Sequence, residues 1–196
     1  PQFGAVGDGV TDDTAAITKA LTSAANGGTI YFPGPATYLI SDALSYSSNQ
    51  RWVATGGATI KLKASSIGNI AASVEGNTLT GIIQPSTLTG ISNVEFVDIR
   101  LDGNKSNNAT TNSGDGIQLL NCQACAVRGG YITAVARDGI GIGERSSGTT
   151  SNITIAGVTL YDVGLSGVNG GSGIAVTSGD NIQILDNYVA SSERDG

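Results

Sequence analysis

The sequence predicts an all-β solenoid, a parallel β-helix whose N-terminal end is capped by one α-helix. Three observations predict it. A nine-residue pattern over 93–101 (NVEFVDIRL) returns over 152–160 (NITIAGVTL) and 181–189 (NIQILDNYV), with a degenerate copy over 124–132. The copies start 31, 28 and 29 residues apart, and periods of this length signal stacked coils rather than a closed globule. A second repeat interleaves with the first: Asp115-Gly116-Ile117, Asp138-Gly139-Ile140, Ser172-Gly173-Ile174 and Asp195-Gly196.

The elements follow in chain order. Residues 1–10 are a Gly-rich extended lead-in. Thr11-Asp12-Asp13-Thr14 then opens a helix, with Thr11 or Asp12 as cap and the carboxylates at the positive end of the dipole. Ala15, Ala16, Ile17, Ala20, Leu21 and Ala24 give it one apolar face, and Asn26-Gly27-Gly28 stops it near residue 25. Strands are predicted over Thr29–Phe32, Thr37–Ile40, Arg51–Ala54 and Ala58–Leu62, separated by turns at Pro33-Gly34-Pro35 and Gly56-Gly57. Residues 64–90 are less regular, with strands near 73–74 and 79–83. From Asn93 the repeats are clean. Val94, Phe96, Ile99 and Leu101 form one inward set, and Ile153, Ile155, Val158 and Leu160 another. The break between Phe96 and Ile99 marks a bend between two short strands. Asn at the head of each copy suits a left-handed bend and can form a ladder from coil to coil. The chain reads as one domain, with lead-in and helix over 1–28 and coils over 29–196. Its last residues fall where the pattern predicts another strand, so a longer solenoid is expected.

Composition narrows the function. The net charge is −6 with a pI near 4.4, which argues against a nucleic-acid partner. An acidic polymer would need local Arg or Lys, or a bound cation. There is no His and no Met. The commonest general base and metal ligand is therefore missing, and acid–base work falls to Asp, Glu, Lys, Tyr or Arg. No stretch is long and apolar enough to insert in a membrane. Cys122 and Cys125 form a lone C-x-x-C pair. Cys125 takes an inward repeat position, which favours a small apolar core residue and a neighbour, with a local disulfide left open. A zinc site would need two more ligands, and none stands out.

The stretch over 3–17 (FGAVGDGVTDDTAAI) resembles the N-terminal signature of the pectate-lyase-like, right-handed parallel β-helix superfamily. Residues 27–34 (GGTIYFPG) with Tyr38-Leu39-Ile40 resemble the coil that follows, and 57–62 (GATIKL) and 101–104 (LDGN) also fit. The resemblance implies a right-handed, single-stranded β-helix, extracellular or on a virion surface, with polysaccharide as partner. The superfamily holds polysaccharide lyases, glycoside hydrolases, alginate C5-epimerases and phage tailspikes. Epimerase modules carry a Tyr-Gly-Phe-Asp-Pro-His coil. The matching stretch here is 138–144, and the motif's Asp and His fall on Gly141 and Gly143, so that catalytic set is absent at that place. The Gly-His-Gly segment of polygalacturonase-like hydrolases is missing too. Asp12-Asp13 matches the helix-capping motif, not a catalytic pair.

Asp115, Arg137, Asp138, Glu144 and Arg145 are the candidate catalytic residues. Stacked carboxylates on neighbouring coils could bind calcium or push each other's pKa values apart; alternatively, Asp-Gly simply makes one turn per coil. Arg137, Glu144 and Arg145 form the only local charged cluster, and Arg194 beside Asp195 repeats the Arg137-Asp138 pair. Arg can hold a uronate carboxylate through two bonds; a solvated salt-bridge ladder is the other reading. Lys105, in the polar insertion over 102–114, and Tyr131 and Tyr161 are candidate substrate-binding residues, with Tyr188 beside them as an outward aromatic. A second polar insertion spans 143–151. The expected function is a lyase or hydrolase of acidic or capsular glycans, calcium being the one cofactor considered, with no metal ligands identified. The rival is a non-catalytic glycan-binding or structural β-helix. A monomer is expected, or a trimer for a tailspike.

Overall fold

The computed structural model describes residues 2–66, 72–74, 77–108, 114–145, 148–164 and 171–192. Arg194, Asp195 and parts of both polar insertions lie outside the described residues. Each coil contributes strands to three parallel sheets. Sheet 1 runs through Asp8–Asp12, Thr37–Ile40, Thr59–Leu62, Arg100–Asp102, Tyr131–Thr133, Thr159–Val163 and Tyr188–Ser192. Sheet 2 includes Gly28–Phe32, Gln50–Ala54, Glu95–Val97, Ala126–Arg128, Ser151–Ala156 and Asp180–Leu185. Sheet 3 is built from Leu44–Tyr46, Gly81–Pro85, Asp115–Leu120, Ile140–Gly143 and Ile174–Val176. The chain therefore runs from sheet 3 to sheet 2 to sheet 1 within each repeat. The fold is an all-β parallel β-helix.

The inward residues stack by equivalence. In sheet 2, Ile30, Trp52, Phe96, Val127, Ile155 and Ile184 pair in register. In sheet 3, Leu44, Ile83, Ile117, Ile140 and Ile174 do the same. Tyr38, Ile60, Leu101, Ile132, Leu160 and Val189 complete the stack from sheet 1. Each fully buried Ile or Leu contributes about 1.5–3 kcal/mol by leaving water. The eight inward positions read from copies 93 and 152 are all buried.

The corners explain the repeat's polar letters. Asn93, Asn152 and Asn181 have φ of 55, 55 and 51°, and Ala124 takes the same left-handed turn at 53°. Asn93 donates Nδ2 to Asn49 Oδ1 at 3.2 Å, and Asn181 donates to Asn152 Oδ1 at 2.6 Å. The ladder exists, and Ala124 interrupts it. In the Asp-Gly-Ile repeat the glycine is needed for space. A Cβ on Gly116 would strike the Gly139 carbonyl, and one on Gly139 would strike Leu160.

The helix runs over Thr14–Ser23, two residues shorter than expected, and buries Ile17 and Leu21 in the core. Its N-cap is Asp13, not Thr11 or Asp12, and the Asp13 side chain makes no cap bond. Instead that buried carboxylate accepts the N–H groups of Val6 and Gly7 at 2.6 and 3.0 Å, fastening the Gly-rich lead-in. Asp12 bonds the Thr14 N–H at 3.1 Å. At the other end, buried Gln50 donates Nε2 to the Leu21 and Ala24 carbonyls at 3.2 and 3.1 Å, satisfying two of the acceptors that every helix leaves open. The strand expected over 79–83 is two strands. Asn77–Leu79 pairs antiparallel with Ala72–Val74, whereas Gly81–Pro85 joins sheet 3. Thr80 makes the break, because its carbonyl accepts Gly114 N and Asp115 N at 3.0 and 3.1 Å.

Candidate functional site

The Asp-Gly repeat sits where the chain passes from sheet 1 into sheet 3. Asp115 Oδ1 accepts the Asp138 N–H at 3.1 Å, and Asp138 Oδ1 accepts the Ser172 N–H at 2.9 Å. Each aspartate thus fastens its own coil to the equivalent residue of the next. That is the turn role weighed from the sequence, and it occupies one oxygen per residue.

The remaining contacts build more than a turn. Arg137 Nε lies 2.9 Å from Asp115 Oδ1 and 3.3 Å from Asp138 Oδ2. Gln118 Nε2 donates to Asp115 Oδ2 at 2.6 Å. Asp115 is 1% exposed. Burial pushes its carboxyl up to about 6, against the lowering pull of Arg137; the neighbouring Asp138 charge raises it further. Desolvation wins here because the guanidinium is shared between two carboxylates and is itself partly in water. The side chain of Asp138 is 15% exposed and that of Arg137 33%.

These groups line a small recess of about 20 Å³ on the outer face of sheet 3, with Gly141, Ala175, Thr177 and Arg145 on its walls. Such a volume holds about one water molecule. Gly141 keeps it open: a Cβ there would sit 3.7 Å from Asp115 Oδ2. Among the described residues Arg137 bonds carboxylates through Nε, and no bond from its Nη atoms is formed.

The other candidates divide. Arg145 reaches the recess, held by Nη1 to the Glu144 carbonyl at 2.9 Å and by its own N–H to Asn121 Oδ1 at 2.8 Å. Glu144 turns back on its own loop, where Oε1 accepts the Thr150 N–H at 3.0 Å. Lys105 bridges coils away from the recess, with Nζ 2.7 Å from both Asp162 Oδ1 and the Gly164 carbonyl. Tyr131 and Tyr161 belong to sheet 1, so they share no recess with Asp115. Sequence reasoning passed over Gln118, which follows Asp115 by three residues and orients its carboxylate. The signal was there in Asp115-Gly116-Ile117-Gln118, but only the sheet register shows that Gln118 faces outward beside Gly141.

Two further readings change. Arg137, Glu144 and Arg145 are not the sole charged cluster. Glu95 takes Arg51 Nε at 2.7 Å and Arg128 Nε at 3.1 Å on sheet 2, from positions 44 and 33 residues away. Cys122 and Cys125 are joined in a disulfide, both buried, so the pair is a cross-link at a coil corner and not merely core filler. For calcium the fit is poor: Arg137 stands between the two carboxylates, and among the described residues no group of three acidic, His or Cys ligands converges.

A family model described as "Rhamnogalacturonase A/epimerase, pectate lyase-like" matches residues 1–194. The chain belongs to this family. Mannuronan C5-epimerase AlgE2 of Azotobacter vinelandii is 33% identical over 177 residues, covering 84% of this chain and 17% of the epimerase. The chain thus spans about a sixth of that relative. Among solved structures, an iota-carrageenase complexed to iota-carrageenan fragments superposes with a TM-score of 0.67 at 19% identity, over 93% of this chain and 39% of that one. PfbA, a surface adhesin of Streptococcus pneumoniae, superposes at 0.60 and 15%, over 95% of this chain and 56% of that one. These two likenesses show the fold, a right-handed β-helix.

Proposed function

We propose that this chain carries the polysaccharide-acting face of an extracellular or virion-surface β-helix enzyme, a lyase of acidic glycans working on the outer face of sheet 3. One observation carries the reading: Arg137 is fixed between Asp115 and Asp138 at the rim of an open recess. A guanidinium with uncommitted Nη atoms can hold a sugar carboxylate through two parallel bonds. That neutralisation acidifies the adjacent C–H. Asp138, the more exposed carboxylate, takes the proton; the electron pair becomes the new C=C bond; the glycosidic C–O bond breaks, and the leaving oxygen is protonated from solvent. Asp115 is a positioning residue, too buried to touch substrate.

A hydrolase is the weaker version. Two-carboxylate hydrolysis sets the acid and the base on either side of the scissile bond, whereas here a guanidinium fills the gap between the two carboxylates. The non-catalytic alternative is favoured by a specific observation, the glycines at 141 and 143 where epimerases carry Asp and His. The Cys122–Cys125 disulfide suits an oxidising compartment, and no helix is long and apolar enough to cross a membrane among the described residues.

The test is a panel of pectic, alginate and capsular polysaccharides, with and without calcium. New ultraviolet absorbance together with new reducing ends supports the lyase. Reducing ends alone mean a hydrolase. Binding with neither signal means a glycan-binding scaffold. A rate unchanged by chelation is expected, since no described carboxylate set fits calcium.

A further inference from the structure

Sheet 1 carries a second polar and aromatic surface, separate from the recess. Arg100, Tyr131, Thr159 and Tyr188 pair in register along one outward row. The next outward row holds Lys61, Asp102, Thr133, Tyr161 and Ala190, with the Asp102 carboxylate neutralised by Lys61 at 2.8 Å. Between them, Leu101, Ile132 and Leu160 point into the core, so the alternation fixes which side chains face solvent. From Arg100 to Tyr188 is three rungs, ~14 Å along the solenoid.

Arg100 differs from its fellows. Arg51, Arg128 and Arg137 each pair with a carboxylate, and Arg145 bonds a backbone carbonyl. Arg100 is exposed and has no carboxylate partner among the described residues. Its guanidinium lies over the Tyr131 ring, 5.3 Å from the centroid, which holds the charge in place without neutralising it. Tyr161 is 46% exposed, and Tyr188 continues the outward row on the last described rung. Neither phenol forms a hydrogen bond among the described residues. Thr133, Thr159 and Ala190 keep the floor between the rings low.

We propose that this face is a second polysaccharide-binding surface, which holds an anionic glycan strand along the solenoid axis without cutting it. The ligand class rests on the polysaccharide reading above. Charge complementarity selects an anionic occupant, because a pre-oriented cation without a counter-ion is waiting on the row. The geometry selects a polymer: the contacts are spread along three rungs of an open sheet, not gathered around a cavity. Tyr161 and Tyr188 supply ring faces and hydroxyls for successive sugars, and Arg100 reads a carboxylate or sulfate.

The test measures binding of polygalacturonate, alginate and iota-carrageenan, with neutral dextran as control, by affinity electrophoresis. The variants are Arg100→Ala with Tyr161→Ala, and Arg137→Ala alone. At least one anionic polymer is expected to bind while dextran does not. The double variant should weaken that binding about tenfold, as loss of one stacking and one cation contact would. Arg137→Ala removes a contact in the recess and should lose cleavage, with a smaller fall in affinity than the double variant shows. Unchanged affinity in the double variant, or no binding of any anionic polymer, would each overturn the proposal. So would loss of self-association without loss of glycan affinity, which would assign the face to a second copy. Circular dichroism checks each variant, and Tyr188→Ser replaces the double variant if that one does not fold. If no polymer is cleaved but the double variant still loses affinity, the lyase reading falls and this one stands.

Discussion

Among the described residues, two arginine–carboxylate ladders have opposite composition. On sheet 2, one carboxylate, Glu95, is held by two arginines, and all three side chains are at least 35% exposed. On sheet 3, one arginine is held by two carboxylates, and Asp115 is 1% exposed. The ion-pair distances are alike, 2.7 and 3.1 Å against 2.9 and 3.3 Å. Distance therefore does not separate the two ladders; burial does. Water screens the first ladder, and such pairs contribute ~1 kcal/mol or less. In the second, desolvation outweighs the arginine and raises a carboxyl to about 6.

Three variants sharpen the contrast. The most direct contrast comes from Arg137→Ala, which leaves Asp115 buried with no cation. Thermal unfolding at neutral pH should show a loss of about 1–2 kcal/mol, because Asp115 takes up a proton once the cation is gone. At pH 4 the loss should shrink, because Asp115 then takes up a proton in the wild type too. A full-sized loss at pH 4 would mean that Arg137 acts by packing alone.

Next comes the titration of Asp115 itself. Its folded pKa lies above its unfolded value, so the native state binds the extra proton between about pH 4 and 6. Stability from this group is fully present below about pH 4 and is lost as pH rises to about 6. The change is roughly 3 kcal/mol for a shift of this size. Asp115→Asn should remove that slope in a comparison of unfolding free energies across the range. A slope unchanged by the substitution would place the raised carboxyl elsewhere.

The smallest effect belongs to the exposed ladder. Glu95→Ala should change stability by less than ~1 kcal/mol, and by still less in 1 M salt. A larger, salt-insensitive loss would show that exposure does not distinguish the two ladders.

Much of the fold was legible because inward residues repeat once per coil. Phe96 over Val127 and Ile155 is a stack that the alternation 93–101, 124–132 and 152–160 already spells out. The Asn bends were legible for the same reason, since few other residues accept a left-handed turn. What the sequence concealed was the cross-section. Nothing in the spacing of Tyr131, Tyr161 and Lys105 says that they leave the solenoid from a different side than Asp115. That depends on how many residues turn each corner. Residues 64–90 break the period and hide the split at Thr80, while Leu44–Tyr46 is only three residues long and precedes the clean repeats that start at Asn93. Gln118 was hidden because its role is a hydrogen bond to a residue already singled out. Glu95 was hidden because its two arginines come from other coils.

The most direct measurement of the central claim compares turnover of the wild type, Arg137→Ala and Arg51→Ala on the same acidic polysaccharide, read as unsaturated-uronate absorbance. Arg137→Ala should lower the rate by about 10²-fold or more, the usual consequence of removing a group that stabilises developing charge. Arg51→Ala should stay within about twofold. Equal rates for all three proteins would contradict the account, and the buried ladder on sheet 3 would then be a structural tie like the exposed one on sheet 2.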